Sequence, residues 1–356
     1  MALLYEQMDA TVKGIADVEE KIGLKMLGIL PLIKNGFLGK VGARLPLNPL
    51  QIEDKKGTFF ESVNTIRTAI SIDDATNPRK VIVVTSSVPG EGKSTTAINL
   101  AYSMAQLERV LLIDCDMRRP SLGSALGTPK DSPGLTNLIT GTATARQCIK
   151  RGAFDGHVDV LTTGPLPEQP LELLSSKRFE KILEKLGEYY DRIVIDSAPT
   201  QAVSDALVLS KMCDALVYVV KSHDTELNLV KRGIQRLRQV NAPLAGVVIT
   251  QVDIDKIVSY GGDYYYQGYY DYYGYNSQGE RGSNKLRLSQ QELLQMKVDD
   301  RDVELDLDYG TPNGGAAAVD LDDRDDFDMT QEIDSASAAL DPRSRRRTSK
   351  DDLDII

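Results

Sequence analysis

The chain has 356 residues, with 42 Lys and Arg against 52 Asp and Glu and a formal net charge of −10. This length allows two domains, or one large domain with appendages, and 41% hydrophobic residues exclude a wholly disordered chain. Three cysteines, far apart and without a C-x-x-C spacing, exclude a disulfide scaffold and suit a reducing cytoplasm. The apolar run at residues 26–33 is interrupted by Pro31 and is too short for a membrane-spanning helix, so we expect none.

The negative charge is concentrated at the C-terminal end. Residues 280–356 hold 20 acidic and 11 basic residues, whereas residues 1–279 hold 32 and 31. The nearly neutral front of the chain does not favour a nucleic-acid partner, and we predict none. The last part has few regularly spaced apolar residues, so we predict that residues 280–356 form an acidic, disordered tail.

The predicted elements begin with a lead-in of residues 1–50, which contains a helix at 16–23 and a Gly/Pro-rich loop. An amphipathic helix over 59–72 follows. Between residues 80 and 250, short β-branched runs alternate with longer helical stretches, which is typical of an α/β fold with a mostly parallel, doubly wound sheet. We predict strands at 81–84, 110–113, 193–195, 215–220 and 246–249, and helices at 93–107, 178–189 and 226–239. This core domain is predicted over 51–255, followed by a tyrosine-rich segment at 256–279 and the tail.

A glycine-containing loop lies between the first predicted strand and a helix, and it ends in Lys93 and Ser94. Such a loop surrounds a phosphate with backbone N–H groups at the positive end of a helix dipole. Lys93 would reach the β- and γ-phosphates and the Ser94 hydroxyl would bind Mg²⁺, although Ser87 replaces the first glycine of the usual P-loop pattern. The sequence therefore predicts a P-loop site for a nucleotide and Mg²⁺. Its predicted residues are Ser87, Pro89, Gly90, Glu91, Gly92, Lys93, Ser94 and Thr95.

Two other predicted strands end in carboxylates, at Asp114 with Asp116 and at Asp196. Ligands of open parallel sheets bind beyond the carboxyl ends of the strands, so these three side chains are expected to converge on the phosphates. A single aspartate at a strand end is often only a helix cap or turn former. Three of them beside a phosphate loop favour a catalytic centre.

Nine of the 15 tyrosines of the chain fall within sixteen residues, which read YGGDYYYQGYYDYYGY. Tracts rich in Tyr and Gly also occur as adhesive segments or as platforms that stack nucleic-acid bases. The nine are Tyr260, Tyr264, Tyr265, Tyr266, Tyr269, Tyr270, Tyr272, Tyr273 and Tyr275. No Lys or Arg is interleaved with them, which disfavours base stacking.

Together these motifs resemble the bacterial tyrosine kinases of polysaccharide export, which are relatives of the partition-type ATPases. The resemblance covers roughly residues 15–275 and includes the segment 164–176 (GPLPEQPLELLSS). It implies an ATP- and Mg²⁺-dependent autokinase that phosphorylates the tyrosine cluster and regulates the chain length or export of a capsular polysaccharide or exopolysaccharide. It also implies a metal held by Ser94, Asp114 and Asp196, and tyrosine activation by Asp114 or Asp116.

The same resemblance implies partners and a location. The partners are a second copy of the chain, phosphorylated in trans, an inner-membrane polysaccharide co-polymerase, and a tyrosine phosphatase. The location is the cytoplasmic face of the inner membrane. The lead-in resembles a juxtamembrane segment, so we hypothesise that the chain is part of a longer membrane protein or one half of a two-protein system.

Two positions separate the chain from its relatives. Partition ATPases usually carry an additional lysine five residues before the loop lysine, and Val88 stands there in this chain, which disfavours a partition ATPase. A partition-type ATP switch that positions other proteins without phosphorylating them is the alternative to the kinase. A scaffold that binds ATP without catalysis is a third. In the helix motif through which relatives assemble, Asn64 replaces the first arginine between Glu61 and Arg67. The sequence therefore supports two interpretations equally: a helix through which copies assemble into a ring, and an ordinary amphipathic helix without a role in assembly.

Overall fold

Eight β-strands form one sheet in a computed structural model that describes residues 11–33, 58–72 and 79–253. All neighbouring strands are parallel except at one edge, where the outermost strand runs antiparallel to its neighbour. The predicted tyrosine cluster and acidic tail lie outside the described residues.

The strands are β1 (Met26–Pro31), β2 (Val81–Ser86), β3 (Val110–Asp114), β4 (Ile149–Gly152), β5 (Val158–Leu161), β6 (Arg192–Asp196), β7 (Ala215–Lys221) and β8 (Leu244–Val252). Their order in the sheet is β1-β8-β7-β2-β6-β3-β5-β4, and β4 is the strand that runs antiparallel to its neighbour, β5. The longer helices are α2 (Thr58–Ser71), α3 (Lys93–Met104), α9 (Lys177–Tyr189) and α11 (Leu227–Gln239). The shorter ones are α1 (Asp17–Ile22, a π-type turn), α4 (Leu122–Ala125), α5 (Leu135–Thr140), α6 (Ala145–Cys148), α7 (Ala153–Gly156), α8 (Pro170–Leu174) and α10 (Asp205–Leu209).

Both faces of the sheet are buried under helices. Successive residues of one strand enter different hydrophobic cores, as Leu111 and Leu112 of β3 do, because side chains alternate along a strand. All residues of β3 and β6 are buried. The prediction of a mostly parallel, doubly covered sheet is confirmed, and its near-continuous apolar strands are explained by burial on two faces.

The predicted lead-in contributes a strand that the sequence analysis did not assign. Residues 26–31 form β1, which pairs with β8 at the sheet edge. Upstream, the Val12 N–H donates to the Thr225 carbonyl and the Val12 carbonyl accepts from the His223 N–H. The segment thus packs directly on the core domain.

Helix α2 confirms the predicted amphipathic helix, and it places the altered assembly motif against its own chain. The Ser103 hydroxyl on α3 donates to the Asn64 side chain at 2.7 Å, and Arg67 donates to the Ser103 carbonyl at 2.8 Å. Helix α3 ends at Met104 rather than at the predicted residue 107. Among the described residues, no helix has both the length and the apolar character needed to cross a membrane.

Candidate nucleotide and phosphoryl-transfer site

The phosphate loop runs from the end of β2 into the first turn of α3. Gly90 and Gly92 have φ values of +90° and +87°, a region that residues with a side chain rarely adopt. Gly92 is the N-cap of α3, so the positive end of the helix dipole faces the loop. Pro89 and Gly90 are exposed, while Ser94 and Thr95 are half-buried. The loop therefore has the backbone form and the polarity of an anion site.

Side chains from β7, β8 and the turn after β7 hold this loop from within. The buried Glu91 carboxylate accepts hydrogen bonds from the Thr225 hydroxyl and from the Val88 N–H, each at 2.6 Å. Thr250 donates to the Glu91 carbonyl at 2.6 Å, and Gln251 donates to the Gly90 carbonyl at 2.9 Å. Burial raises the pKa of Glu91, although the Thr225 hydrogen bond opposes this. The Glu91 side chain thus braces the loop and is already engaged within the protein.

Lys93 lies between two of the three predicted carboxylates. Its Nζ is 3.0 Å from Asp116 Oδ2 and 3.5 Å from Asp196 Oδ1, and the lysine is only 9% exposed. Burial alone would lower the pKa of Lys93, but the charges of Asp196, Asp116 and Asp114 outweigh it, and the pKa is raised. The lysine is therefore held as a cation at the start of α3.

Asp114 and Asp196 are register partners on β3 and β6, and both are fully buried. The Asp114 carboxylate accepts three backbone hydrogen bonds, from Asp116 at 3.2 Å and from Ser121 and Leu122 at 3.0 Å each. Burial, together with the charge of Asp196, raises the pKa of Asp114 to about 7. Burial also raises the pKa of Asp196, with Lys93 acting in the opposite direction.

The oxygen atoms beside Lys93 have the chemistry that Mg²⁺ prefers. Asp196 Oδ1 is buried and makes no hydrogen bond, and the Ser94 hydroxyl lies 3.4 Å from Lys93 Nζ. Among the described residues, no group of three or more His, Cys, Asp or Glu side chains is arranged to hold a metal by itself. Mg²⁺ at a nucleotide site usually has one or two carboxylates, substrate phosphates and water as ligands. Ser94 and Asp196 fit that requirement, whereas Asp114 is already well supplied with donors.

Tyr218, on β7, contacts the loop and was not found by the sequence analysis. Its hydroxyl lies 3.0 Å from the Ser87 hydroxyl and 3.1 Å from that of Thr200, and all three residues are fully buried. Burial raises the pKa of Tyr218 to about 12, so its hydroxyl stays neutral. In the sequence Tyr218 lies within an apolar strand run, and its phenol hydroxyl is the one feature that distinguishes it from its neighbours there.

An apolar cleft opens next to the loop. It is lined by Pro31, Phe59, Thr95 and Gln251, among others, so it joins β1, α2, α3 and β8. This cleft could not be predicted from the sequence, because three of the contributing segments are distant in sequence from the phosphate loop.

The predicted residues are thus largely brought together. Lys93, Ser94, Asp116 and Asp196 meet within hydrogen-bonding or ion-pairing distance, and Asp114 lies directly beside Asp196. The side chain of Glu91 is directed into the protein. The nine tyrosines lie outside the described residues, so their role as acceptors stays a prediction.

This fold and site define a P-loop protein with a carboxylate-rich centre, and comparisons with known proteins specify its class. Residues 79–244 match the family model described as an AAA domain. Tyrosine-protein kinase YwqD of Bacillus subtilis is 35% identical over 221 residues, which cover 62% of this chain and 92% of the relative. Tyrosine-protein kinase CpsD of Streptococcus pneumoniae is 34% identical, with 60% and 95% covered.

A solved structure, that of the chimerical protein CapA2B2, superposes with a TM-score of 0.59 at 32% identity, covering 67% of this chain and 98% of that one. The chain belongs to the family of bacterial tyrosine-protein kinases, and it is a protein-tyrosine kinase of the P-loop type. Nucleotide binding follows from this membership and from the loop described above.

Proposed function

We propose that the chain is an autokinase that transfers the γ-phosphoryl group of Mg-ATP to its own tyrosines at 260–275. The observation that carries the proposal is the position of Lys93, at a helix N-terminus between Asp116 and Asp196. Phosphoryl transfer depends mainly on positioning and on neutralising charge, and a lysine, a metal and carboxylates can supply both. Bound Mg²⁺ would neutralise charge on the phosphates from a site formed by Ser94 and Asp196.

The contacts of the two remaining aspartates suggest different roles. Both carboxylate oxygens of Asp114 accept backbone N–H groups, which suits a residue that fixes the shape of the site. Asp116 Oδ2 is paired with Lys93, and this oxygen becomes available when the lysine binds the phosphates of the nucleotide instead. We therefore assign Asp116 as the group that accepts the proton of the tyrosine hydroxyl. The tyrosine oxygen then bonds to the γ-phosphorus, and the bond to the β-phosphate oxygen breaks to release ADP.

The adenine would lie in the apolar cleft beside the loop. Pro31 and Phe59 offer flat apolar surface, and Gln251 supplies an amide at its rim. Ligand sites of this kind combine mainly apolar walls with a few polar groups that fix orientation.

The route of the chain supports the tyrosines as acceptors. Strand β8 is parallel to β7, so its carboxyl end lies at the same sheet edge as the phosphate loop, and Gln251 contacts that loop directly. Tyr260 is eight residues beyond the end of β8. An extended chain advances at most about 3.5 Å per residue, so the cluster starts within about 28 Å of this edge.

A labelling experiment tests the autokinase. The purified chain is incubated with labelled ATP and Mg²⁺, beside Lys93→Met and a variant with all nine clustered tyrosines changed to Phe. Label on tyrosine in the wild type alone supports the proposal. Phosphate release without labelled protein supports the partition-type ATP switch instead, and neither signal supports a scaffold.

We propose that transfer occurs in trans, between copies of the chain. Trans transfer requires collision, so the initial rate per molecule should fall about ten-fold on ten-fold dilution. The matched control mixes two variants. Lys93→Met retains the tyrosines, and the nine-Phe variant retains the kinase site. Label on Lys93→Met in that mixture supports trans transfer, and a rate independent of concentration contradicts it.

Phosphorylation would change how copies associate. Each phosphotyrosine adds about −1.5 to −2 charges at neutral pH, so four of them would add about −6 to −8. We propose that unphosphorylated arms dock on neighbouring copies and that phosphorylated arms release them, with a tyrosine phosphatase reversing the change. Sedimentation that is identical for the ATP-treated and phosphatase-treated protein would contradict this switch.

The cellular role that we propose is control of the chain length or export of a capsular polysaccharide or exopolysaccharide at the cytoplasmic face of the inner membrane. A membrane co-polymerase, fused or separate, would be the partner. The packing of residues 11–33 on the domain supports this, since Val12 pairs with Thr225, whose hydroxyl holds Glu91 of the loop. A host carrying the nine-Phe variant should make polysaccharide of altered length, and an unchanged length distribution would contradict the role.

A further inference from the structure

Three buried hydroxyls, those of Ser87, Tyr218 and Thr200, form a connected group behind the phosphate loop, which we call the hydroxyl triad. We propose that Tyr218 is a positioning residue, whose hydroxyl ties the first residue of the loop to the segment after β6 and so keeps the loop in its nucleotide-binding form. The inference rests on the proposed nucleotide site and assigns a residue that does not touch the substrate.

The hydrogen bonds of the triad are its first support. The Tyr218 hydroxyl lies 3.0 Å from Ser87 Oγ and 3.1 Å from Thr200 Oγ1, and Thr200 Oγ1 donates to the Ser86 carbonyl at 3.1 Å. Ser87 can donate to Tyr218 and Tyr218 to Thr200, so each hydroxyl has an acceptor. A buried phenol hydroxyl without a partner would be unfavourable, and here both its partners belong to loops of the site.

The identity of residue 87 is a second support. The usual P-loop pattern has glycine there, which has no side chain. Ser87 adds a hydroxyl, and that hydroxyl is fully buried and directed at Tyr218. The serine that replaces the usual glycine therefore has a hydrogen-bond partner, Tyr218, in the same protein.

The third support is the space that α11 leaves for the tyrosine. A Cβ added at Gly233 would lie 2.0 Å from the Tyr218 hydroxyl and 2.7 Å from Thr200 Oγ1. Glycine inside a helix is destabilising relative to alanine. Only a residue without a side chain lets the helix pack over the triad.

The triad also connects the loop to the segment that begins at Asp196. Thr200 and Gln201 donate their N–H groups to the carbonyls of Ser86 and Ser87 at 2.8 and 3.1 Å. Arg236 of α11 donates to the Thr200 carbonyl. Tyr218 thus joins two of the segments that contribute to the site, and loss of its hydroxyl should let the loop adopt other shapes. If fewer molecules hold the loop in its nucleotide-binding form, the apparent affinity for nucleotide falls in proportion to that fraction.

The experiment compares Tyr218→Phe, Ser87→Ala and the double variant with a matched control, Tyr190→Phe. Tyr190 is also buried, and its hydroxyl donates to Asp159 at 2.8 Å. It precedes β6 and so lies at the amino-terminal ends of the parallel strands, whereas the phosphate loop lies at their carboxyl ends. The readouts are the dissociation constant of a fluorescent ADP analogue, the thermal midpoint, and the kcat and KM for ATP in tyrosine phosphorylation.

We expect Tyr218→Phe to weaken ADP analogue binding and raise the KM for ATP by about ten-fold, which corresponds to about 1.4 kcal/mol, the upper end of the value of one hydrogen bond. Ser87→Ala should shift binding in the same direction, and the double variant should bind no more weakly than Tyr218→Phe, because Tyr218→Phe already removes the contact with Ser87. Tyr190→Phe should lower the thermal midpoint and leave binding within two-fold of the wild type.

Two results would overturn the inference: binding by Tyr218→Phe and Ser87→Ala within two-fold of the wild type, or effects that multiply in the double variant. Nucleotide binding is measured without tyrosine transfer, so the two proposals can fail separately. A wild type that binds ADP without labelling itself contradicts the autokinase and leaves this comparison valid.

Discussion

Lys93→Met provides a direct test of the electrostatic arrangement at the site. Among the described residues, Lys93 is the cation that pairs with Asp116 and Asp196, at 3.0 and 3.5 Å, and both carboxylates are at least 96% buried. Methionine has a similar length and no charge, so the change leaves three neighbouring carboxylates without their cation.

The expected loss of stability can be estimated from buried ion pairs. Removal of one partner of such a pair typically costs about 3–5 kcal/mol, because the remaining charge stays buried and unpaired. We therefore expect the free energy of unfolding of the nucleotide-free protein to fall by about 3–5 kcal/mol. Adding Asp116→Asn should recover part of this loss, since it removes one of the carboxylates that the lysine had neutralised.

Urea unfolding at pH 8 without nucleotide is the assay. Lys181→Met, on the exposed face of α9, is the matched control and should stay within about 0.5 kcal/mol of the wild type. A loss below about 1 kcal/mol for Lys93→Met, or a double variant less stable than the single one, would refute the ion-paired arrangement.

Three further changes have expected outcomes. Burial raises the pKa of Glu91 in the folded protein, so ionisation of this carboxyl opposes folding. The free energy of unfolding that Glu91 contributes is fully present below pH 4.5 and is lost as the pH rises through the pKa of Glu91 in the folded protein. Glu91→Gln should flatten that part of the pH profile of urea unfolding, whereas Glu184→Gln, at an exposed position, should not. Gly233→Ala should lower the thermal midpoint by several degrees because its Cβ would clash with the Tyr218 hydroxyl, and Tyr218→Phe in that background should recover part of the loss; no recovery would contradict the clash. Asp196→Asn should make ADP affinity insensitive to Mg²⁺ in titrations with and without EDTA, and an undiminished Mg²⁺ effect would exclude Asp196 as a ligand.

Several features could be predicted because they depend on local sequence patterns. The five assigned strands are present because β-branched runs without polar interruptions suit strands that are buried on both faces. Lys93, Ser94, Asp114, Asp116 and Asp196 could be identified because each directly follows such a strand or its loop, and parallel strands bring their carboxyl ends to one edge.

Other features could not be found in this way because they need contacts between distant segments. Strands β4 and β5 are short, four residues each, and β1 lies at the sheet edge. Pairing with a neighbouring strand, rather than a pattern of their own, identifies them. The contact between Ser103 and the altered motif at Asn64 joins residues 39 positions apart.

The sequence by itself determined the phosphate loop, the three aspartates that follow apolar strand runs and the position of the nine clustered tyrosines, because each of these features is visible in a short local pattern. The tertiary structure decided how the loop is supported, through Glu91 with Thr225 and through Ser87 with Tyr218. Those partners are 134 and 131 residues apart. The physical reason is that a buried polar atom must find its hydrogen-bond partner in space, and the packing of β7 and α11, rather than any local pattern, determines which atom that is.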